Sequence, residues 1–406
     1  PLQSPEHLTG LTVTVLRVYR GSGQRSDNSE SVSKFIRLAE DLCDQFEIDV
    51  DLDSNNVVPR TSEDDTDEPD MLRKIHDNIF VPRRDEPDHP EFPPNAPRFP
   101  ATPVRKIDIG GRKILIKDES VNPTGSHKDR WAWEMLVRYK AIIAERLAGH
   151  RTTIPRFSMI SSGSAAFALQ SLLRTRLLPD LHVLMDVNRT RPHIKEKLET
   201  TGARVFLHDL RDRELSNEDV LALTQNADGE DVTPRVATEA YEHQYYDWLV
   251  YEILNRSPKH IFVPFGAGGL FANIMFLIEA ERGGKIDPRL IGGTGALQNV
   301  NLYGAMPADE ETNMDMLYAA YRPTLPGLEA AVARLTRSGV LGAGSKIAAV
   351  SDARAGEARG YLRGAGIRTD LSGAAGLALY LDEAQNIPAA ETVLVVNTGA
   401  IYLGDH

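Results

Sequence analysis

Lys128 stands where a strand pattern gives way, through a tight loop, to a helix pattern. Residues 113–117 are rich in β-formers, and residues 131–147 carry apolar side chains on one helical face. Ser126 is the expected N-cap, so Lys128 falls in the first helical turn, where the positive end of the helix dipole disfavours an ammonium. A lysine that reacts as a free amine, as in Schiff-base formation, benefits from this position. Taken alone, the lysine is equally compatible with a solvated surface residue.

A glycine-rich turn between a predicted buried strand and a predicted helix is suited to binding an anion. Glycines let the main chain approach a phosphate closely, and the helix dipole stabilises its charge. A plain tight turn would have the same composition, and no Gly-Lys-Ser/Thr follows, so the segment is not a Walker loop. The residues of this turn are Gly266, Ala267, Gly268, Gly269 and Leu270.

Two further polar segments follow predicted strands. Residues 161–166 (Ser-Ser-Gly-Ser-Ala-Ala) come after the strand at 157–160, and Thr398 follows the strand at 392–397. In open α/β folds the ligand binds at the carboxyl ends of parallel strands. The serine segment is therefore predicted to face the crevice at the carboxyl edge of the sheet.

The sequence around Lys128 resembles that of a known family. Residues 117–130, which include Pro-Thr-Gly-Ser-His-Lys, are similar to the pyridoxal-phosphate lysine segment of the fold-type II enzymes. The similarity is closest to threonine synthases and threonine ammonia-lyases, and the His-Lys pair also resembles one class of tryptophan synthase β-chains. The resemblance covers residues 99–406 and implies pyridoxal 5'-phosphate as the cofactor.

The resemblance also implies roles for individual residues. Lys128 would form the Schiff base, with His127 packing against the cofactor, and Thr398 would contact the pyridine nitrogen through a neutral hydroxyl. The glycine turn would hold the cofactor phosphate. The substrate carboxylate would be held by Ser161, Ser162 and Gly163.

One position departs from the family pattern. Family members carry an asparagine that bonds the ring hydroxyl oxygen of the cofactor, and this chain has Ser164 there. A shorter hydroxyl holds the ring less firmly and changes its electronics. The substitution is compatible with altered reaction specificity or with a relative that has lost catalysis.

Strand and helix patterns alternate from residue 99 onward, among them a helix pattern at 241–256 and a short strand pattern at 290–293, which predicts βαβ units. With the resemblance, this predicts an α/β fold of two open, twisted, mostly parallel sheets flanked by helices. The large cofactor-binding domain would comprise residues 99–151 and 239–406, and a smaller mobile domain residues 152–238.

The first 98 residues are predicted to form an atypical N-terminal extension. It contains a strand pattern at 11–19, a helix pattern at 31–46, a short helix pattern at 71–80 and a proline-rich strap at 82–103. Residues 49–70 are acidic and poor in apolar side chains, which favours a solvated loop over an acidic metal site.

Composition excludes several classes of function. The net charge of -12 opposes binding to nucleic acid and to anionic membranes. The single cysteine, Cys43, excludes an intrachain disulfide and cysteine-based metal sites, and no His/Asp/Glu spacing indicates a metal centre. The chain shows neither a signal peptide nor a long apolar run, which predicts a cytoplasmic protein. We expect a homodimer.

The function expected from these residues is elimination or replacement at the β- or γ-carbon of an amino-acid substrate, as in threonine synthase, through a Schiff base at Lys128. An amino-acid ammonia-lyase and a β-replacement enzyme that makes a non-standard amino acid are alternatives. From another class, a non-catalytic or partner-dependent protein that binds pyridoxal phosphate also fits, because Ser164 replaces the asparagine.

Overall fold

The computed structural model describes residues 48–51, 56–59, 68–78, 99–236, 245–282, 299–309, 311–318 and 324–401. Three predicted elements lie wholly outside these residues, namely the strand at 11–19, the helix at 31–46 and the strand at 290–293. The predicted proline-rich strap at 82–103 lies outside them except for residues 99–103.

The described strands run from a short hairpin at residues 48–59 to residue 397. In chain order they are β1 (Ile48–Asp51), β2 (Asn56–Pro59), β3 (Val104–Ile109), β4 (Arg112–Asp118), β5 (Phe157–Ile160), β6 (His182–Asp186), β7 (Arg204–His208), β8 (Glu230–Asp231), β9 (His260–Pro264), β10 (Asn301–Pro307), β11 (Lys346–Val350) and β12 (Val393–Asn397).

The described α-helices alternate with most of these strands. They are α1 (Glu68–Asn78), α2 (Lys128–Leu147), α3 (Ser164–Thr175), α4 (Pro192–Thr200), α5 (Asn217–Leu223), α6 (Asp247–Leu254), α7 (Gly269–Arg282), α8 (Leu325–Arg337), α9 (Asp352–Gly364) and α10 (Leu371–Glu383).

The strands form two open sheets and one hairpin. The larger sheet has the order β11-β10-β9-β12-β4-β3 and is parallel except for the antiparallel pair β3 and β4. The smaller sheet has the order β7-β6-β5-β8 and is parallel throughout. The predicted fold class, with two mostly parallel sheets flanked by helices, is therefore confirmed.

Helices cover both faces of the larger sheet. Successive side chains of each strand point to opposite faces, so they pack into two different apolar clusters. Phe262 and Val395 pack with the apolar residues of α9 and α10 on one face. Ile261 and Val396 pack with those of α2, α6 and α7 on the other. The central strands are therefore fixed by packing from two sides, which gives the strand ends a rigid position.

Several predicted elements differ from the structure. The helix predicted at 241–256 begins only at Asp247 within the described residues, because residues 245–246 form a turn. The segment 49–70 was predicted as loop, yet β1 and β2 pair within it and α1 begins there at Glu68. Strands β3 and β10 and helices α5 and α8 were not predicted. The sequence of β10 contains both glycine and proline, which weakens its strand pattern.

The strands of the smaller sheet all fall within residues 152–238, the segment predicted to move as one domain. The division into two domains stays a prediction. Among the helices that the structure describes, none is long and apolar enough to cross a membrane.

Candidate active site

Polar side chains hold the loop that precedes α2. Asn122 Nδ2 donates hydrogen bonds to Glu119 Oε2 at 2.8 Å and to the carbonyl oxygen of Ser126 at 3.1 Å. Thr124 donates twice to Asp129 Oδ2, from its amide at 3.1 Å and from its hydroxyl at 2.8 Å. All five residues are buried, so the loop has a fixed shape.

Helix α2 begins at Lys128, one residue later than a cap at Ser126 would place it. The cap residue is His127, whose side chain makes no capping hydrogen bond. The amide of Lys128 donates to Ser126 Oγ at 3.3 Å, so the serine hydroxyl still serves a backbone donor at the helix start. Lys128 is therefore the first residue of α2.

The lysine loop is joined to the segment that follows β12. The amide of His127 donates to the Thr398 carbonyl at 3.2 Å, and the amide of Ala400 donates to the Gly125 carbonyl at 3.0 Å. Gly399 has φ +88°, and a Cβ there would lie 2.1 Å from the Gly125 oxygen, so only glycine fits. These contacts fix Thr398 relative to Lys128.

The side chain of Lys128 enters a cavity of about 350 Å³. Its Nζ makes a hydrogen bond of 2.9 Å with the hydroxyl of Tyr246. Most of the residues predicted to bind cofactor or substrate line this cavity. They are His127, Lys128, Ser161, Ser162, Ser164, Gly266, Ala267, Gly268, Gly269, Leu270 and Thr398.

The glycine turn joins the end of β9 to the start of α7. Gly268 has φ +90°, and a Cβ there would lie 2.8 Å from Leu328 Cδ1. A Cβ on Gly266 would lie 3.3 Å from Leu317 Cα. Because α7 begins at Gly269, its first-turn amides have no acceptor within the helix. The turn can therefore present backbone donors to an anion inside the cavity.

The serine segment joins β5 to α3. Ser161 Oγ accepts hydrogen bonds from the amides of Gly163 at 3.1 Å and Ala166 at 3.3 Å, so its hydroxyl proton is left for a ligand. Ser164 is the first residue of α3 and is buried. Gly163 does not line the cavity: it has φ +136°, and a Cβ there would lie 2.7 Å from Ile194 Cγ2. The turn therefore requires glycine at position 163, and its predicted contact with the substrate carboxylate stays a prediction.

Side-chain bridges cross the cleft between the smaller sheet and the segment 311–318, and one of them joins Arg189 Nη2 to the Thr312 carbonyl at 2.8 Å. Tyr318 Oη donates to Asp186 Oδ2 at 2.6 Å, and Arg191 pairs with Asp315 at 2.7 Å. Asp186 and Tyr318 line the cavity. The bridges hold the loop after β6 against the segment that passes over the glycine turn.

Sequence reasoning missed several cavity residues, Tyr246 above all. Tyr246 lies in the turn before α6, inside a segment whose apolar pattern was read as one continuous helix. A cluster of tyrosines at 241, 245 and 246 was the available signal. Asp186 and Tyr318 come from the end of β6 and from a segment with no regular pattern, so their meeting depends on tertiary structure.

The electrostatic environment of His127 keeps its ring neutral. Burial and the nearby positive charge of Lys128 lower the pKa of His127 to about 3. The ring lies 5.5 Å from that of Tyr246, and Nδ1 is buried without a hydrogen-bond partner in the described residues. His127 is therefore an uncharged wall of the cavity with a free polar atom.

This shift predicts acid sensitivity. The unfolded chain protonates His127 near its ordinary pKa of 6.5, whereas the folded protein does not until about 3. Stability is therefore lost as the pH falls from 6.5 towards 3, by about 1.4 kcal/mol per pH unit from this residue. Urea unfolding of wild type and His127→Phe at pH 7.5 and pH 4.5 measures the effect. We expect the variant to lose less stability in acid, and equal losses would contradict the assignment.

A buried ionic network lies beneath the lysine loop. Arg130 pairs with Glu119 at 2.6 Å and with Glu252 at 2.9 Å, and Lys117 also pairs with Glu252. Burial opposes ionisation of Glu119, but the charge and hydrogen bonds of Arg130 prevail and lower its pKa to about 2. Thr102 donates a further hydrogen bond to Glu119. The two cations, Lys117 and Arg130, balance the two carboxylates, Glu119 and Glu252, so the network has no net charge. Its ion pairs join α2 to β4 and α6.

The fold and the cavity place the chain in the class of open α/β proteins whose ligand site lies at the carboxyl ends of parallel strands. The model of the family "Pyridoxal-phosphate dependent enzyme" matches residues 97–399. The chain belongs to this family. Its members bind pyridoxal 5'-phosphate, so the predicted cofactor is confirmed.

Solved structures share the fold at low sequence identity. O-ureido-L-serine synthase is 15% identical with a TM-score of 0.53, covering 74% of this chain and 89% of its own. A hydrogen sulfide-producing enzyme from Fusobacterium nucleatum is 18% identical with a TM-score of 0.52, covering 74% of this chain and 95% of its own. No curated protein sequence matches the chain. At these identities the likeness shows the fold alone.

The residues present fit the cofactor of the family. Lys128 Nζ offers an amine, the glycine turn offers backbone donors for a phosphate, and both border the same cavity. Side chains on Gly266 or Gly268 would push the turn against Leu317 or Leu328. Within the described part of the chain, no cluster of His, Cys, Asp and Glu is suited to a metal ion.

Proposed function

We propose that the protein catalyses elimination or replacement at the β- or γ-carbon of an amino-acid substrate, as threonine synthase does, with Lys128 as the attachment residue. The observation that carries this proposal is the shared cavity. Lys128 Nζ, the glycine turn, the serine segment and Thr398 all border it. Bound pyridoxal phosphate would supply the electron sink for the bond broken at the substrate α-carbon.

Lys128 has two tasks in this proposal. Its Nζ attaches the cofactor before the substrate arrives, and the amine released on substrate binding takes the α-proton at Nζ. The residue is suited to both, because its backbone is fixed at the start of α2 while its side chain reaches into the cavity. The network around Arg130 holds that start rigid.

The other cavity residues bind and orient. The amides of the glycine turn hold the phosphate, and Thr398 presents a neutral hydroxyl to the pyridine nitrogen, which favours elimination and replacement over transamination. The hydroxyls of Ser161 and Ser162 hold the substrate carboxylate. Ser164 holds the ring more weakly than an asparagine would, because its side chain is shorter.

Closure of the cleft excludes water from the reacting groups. The hydrogen bond between Tyr318 and Asp186 and the ion pair between Arg191 and Asp315 join the two sides of the cleft. Both pairs lie at the cavity or next to it. We infer that they hold the closed form during the reaction.

The test begins with reconstitution. The purified protein, loaded with pyridoxal phosphate, is treated with borohydride and analysed by peptide mass spectrometry. The expected result is a reduced cofactor adduct on Lys128 and the loss of the absorbance of the bound cofactor. No adduct on Lys128 would overturn the proposed attachment.

The reaction is then identified by screening amino acids and their O-phospho and O-acetyl derivatives, with and without an added thiol or amine. A new amino acid formed only with a nucleophile indicates replacement, and a keto acid with ammonia formed without one indicates a lyase. A protein that binds cofactor but changes no substrate would refute the proposal in favour of a non-catalytic binder.

A further inference from the structure

The hydroxyl of Tyr246 is the hydrogen-bond partner that the structure gives to Lys128 Nζ. The two atoms lie 2.9 Å apart, which is a normal hydrogen-bond distance. Tyr246 is 3% exposed, so the ring that carries this hydroxyl is packed inside the protein. The contact joins two residues 118 positions apart in the chain and lies inside the cavity.

Tyr246 is itself held in place from two sides. Its amide donates to Asn273 Oδ1 at 3.1 Å, and Asn273 Nδ2 donates to Asp247 Oδ1 at 2.8 Å. Its ring lies against the ring of His127 at 5.5 Å. Asn273 belongs to α7, the helix that starts at the glycine turn. The tyrosine is therefore tied to the same helix that would bind the cofactor phosphate.

We propose that Tyr246 is a positioning residue for Lys128. Its hydroxyl holds the amine at the place where the aldehyde of a cofactor anchored by the glycine turn must meet it. The inference rests on the proposed function. In the attachment step the amine nitrogen bonds to the aldehyde carbon, and the aldehyde oxygen leaves as water with the two hydrogens of the amine.

The chemistry of the two groups suits this task. A lysine side chain has four rotatable bonds, and fixing its end before the reaction removes an entropy cost from the transition state. A phenol hydroxyl both donates and accepts, so it can hold the amine as well as the ammonium. Because the phenol is carried on a buried ring, it directs Nζ without moving itself.

The decisive variant is Tyr246→Phe, which keeps the ring against His127 and removes only the hydroxyl. In cofactor-free protein we expect the rate of attachment of pyridoxal phosphate to Lys128 to fall about tenfold to hundredfold. Pyridoxine 5'-phosphate carries an alcohol in place of the aldehyde and cannot attach. We expect Tyr246→Phe to bind pyridoxine 5'-phosphate with an affinity within about twofold of wild type, because the substitution leaves the phosphate site unchanged.

A second measurement separates positioning from general damage. Competitive labelling with acetic anhydride reports how readily Lys128 reacts with a small reagent that needs no fixed orientation. We expect the labelling rate at Lys128 to rise about fivefold in Tyr246→Phe, since one hydrogen bond to the amine is lost. Attachment and labelling should therefore change in opposite directions.

Tyr139→Phe is the matched control, because Tyr139 lies on the same helix α2 and also loses a buried hydroxyl, which donates to the Pro155 carbonyl. It should lower stability and leave the attachment rate unchanged. The proposal would be overturned if Tyr246→Phe attached pyridoxal phosphate as fast as wild type. It would also be overturned if the variant lost attachment rate and affinity for pyridoxine 5'-phosphate to the same extent. If wild type attaches the cofactor and Tyr246→Phe attaches it equally fast, only the positioning role fails. If wild type attaches no cofactor, the proposed function fails and the positioning role fails with it, even where labelling still depends on Tyr246.

Discussion

The Lys128→Ala variant, supplied with pyridoxal phosphate, is expected to turn over substrate at least about a thousandfold more slowly than wild type. In the proposed function Lys128 is both the attachment amine and the group that takes the α-proton, and general base catalysis alone is worth about 10²–10⁴-fold. The glycine turn, to which the proposal assigns the cofactor phosphate, is separate from Lys128, so we expect the variant to bind the cofactor without a covalent bond. Steady-state kinetics on the substrate found by screening, together with borohydride trapping, measures both effects.

Lys140→Ala is the matched control, because Lys140 lies on the same helix and outside the cavity. Its turnover should match wild type. Added methylamine should restore part of the activity of Lys128→Ala, since the truncated side chain leaves space for a small amine in the cavity. Turnover of the alanine variant within about tenfold of wild type would show that another residue moves the α-proton.

The Arg130→Met variant is expected to lose about 3–5 kcal/mol of stability. Arg130 is 2% exposed, so its removal leaves the buried carboxylate of Glu119 without its main partner, and Glu252 keeps only its pair with Lys117. The methionine fills a similar volume, which limits the contribution of a cavity. Urea unfolding of cofactor-free protein at pH 7 measures the loss.

Arg138→Met tests whether the stability loss expected for Arg130→Met arises from the burial of its ion pairs. Arg138 lies on the same helix and pairs with Glu230, but its side chain is 43% exposed, and exposed pairs contribute about 0–1 kcal/mol. Adding Glu119→Gln to Arg130→Met leaves Lys117 paired with Glu252, so the double variant should lose less than the sum of the single losses. Equal losses in Arg130→Met and Arg138→Met would argue against a buried network.

The arrangement around Lys128 could be predicted from the sequence because each part of it follows the end of a strand. The lysine loop follows β4, the serine segment β5, the glycine turn β9 and Thr398 β12. The carboxyl ends of β4, β9 and β12 meet at one edge of the larger sheet, so short local patterns were enough to bring three of these segments together. The serine segment follows β5 of the smaller sheet, and its approach to the others depends on how the chain packs the two sheets. Each of these segments directly follows, along the chain, a strand whose sequence pattern is strong.

Tyr246 could not be found in this way. It lies in a turn between the segment 237–244 and α6, and its position depends on Asn273 and on packing against His127. The cleft bridge between Asp186 and Tyr318 is similar, because segment 311–318 has no regular pattern to place it. Contacts between residues far apart in the chain leave no periodic signal, so they emerge only from the folded structure.

The position of β12 has a consequence for how the protein is made. β12 lies between β9 and β4 in the larger sheet, yet residues 393–397 are the last strand that the structure describes. A ribosome adds about 5–20 residues per second, so the segments on either side of β12 wait for many seconds beside an unfilled gap. The smaller sheet uses only residues 157–231 and can form early. The site around Lys128, whose loop bonds to residues 398 and 400, is therefore completed only after those residues have been synthesised, and cofactor loading must follow that step.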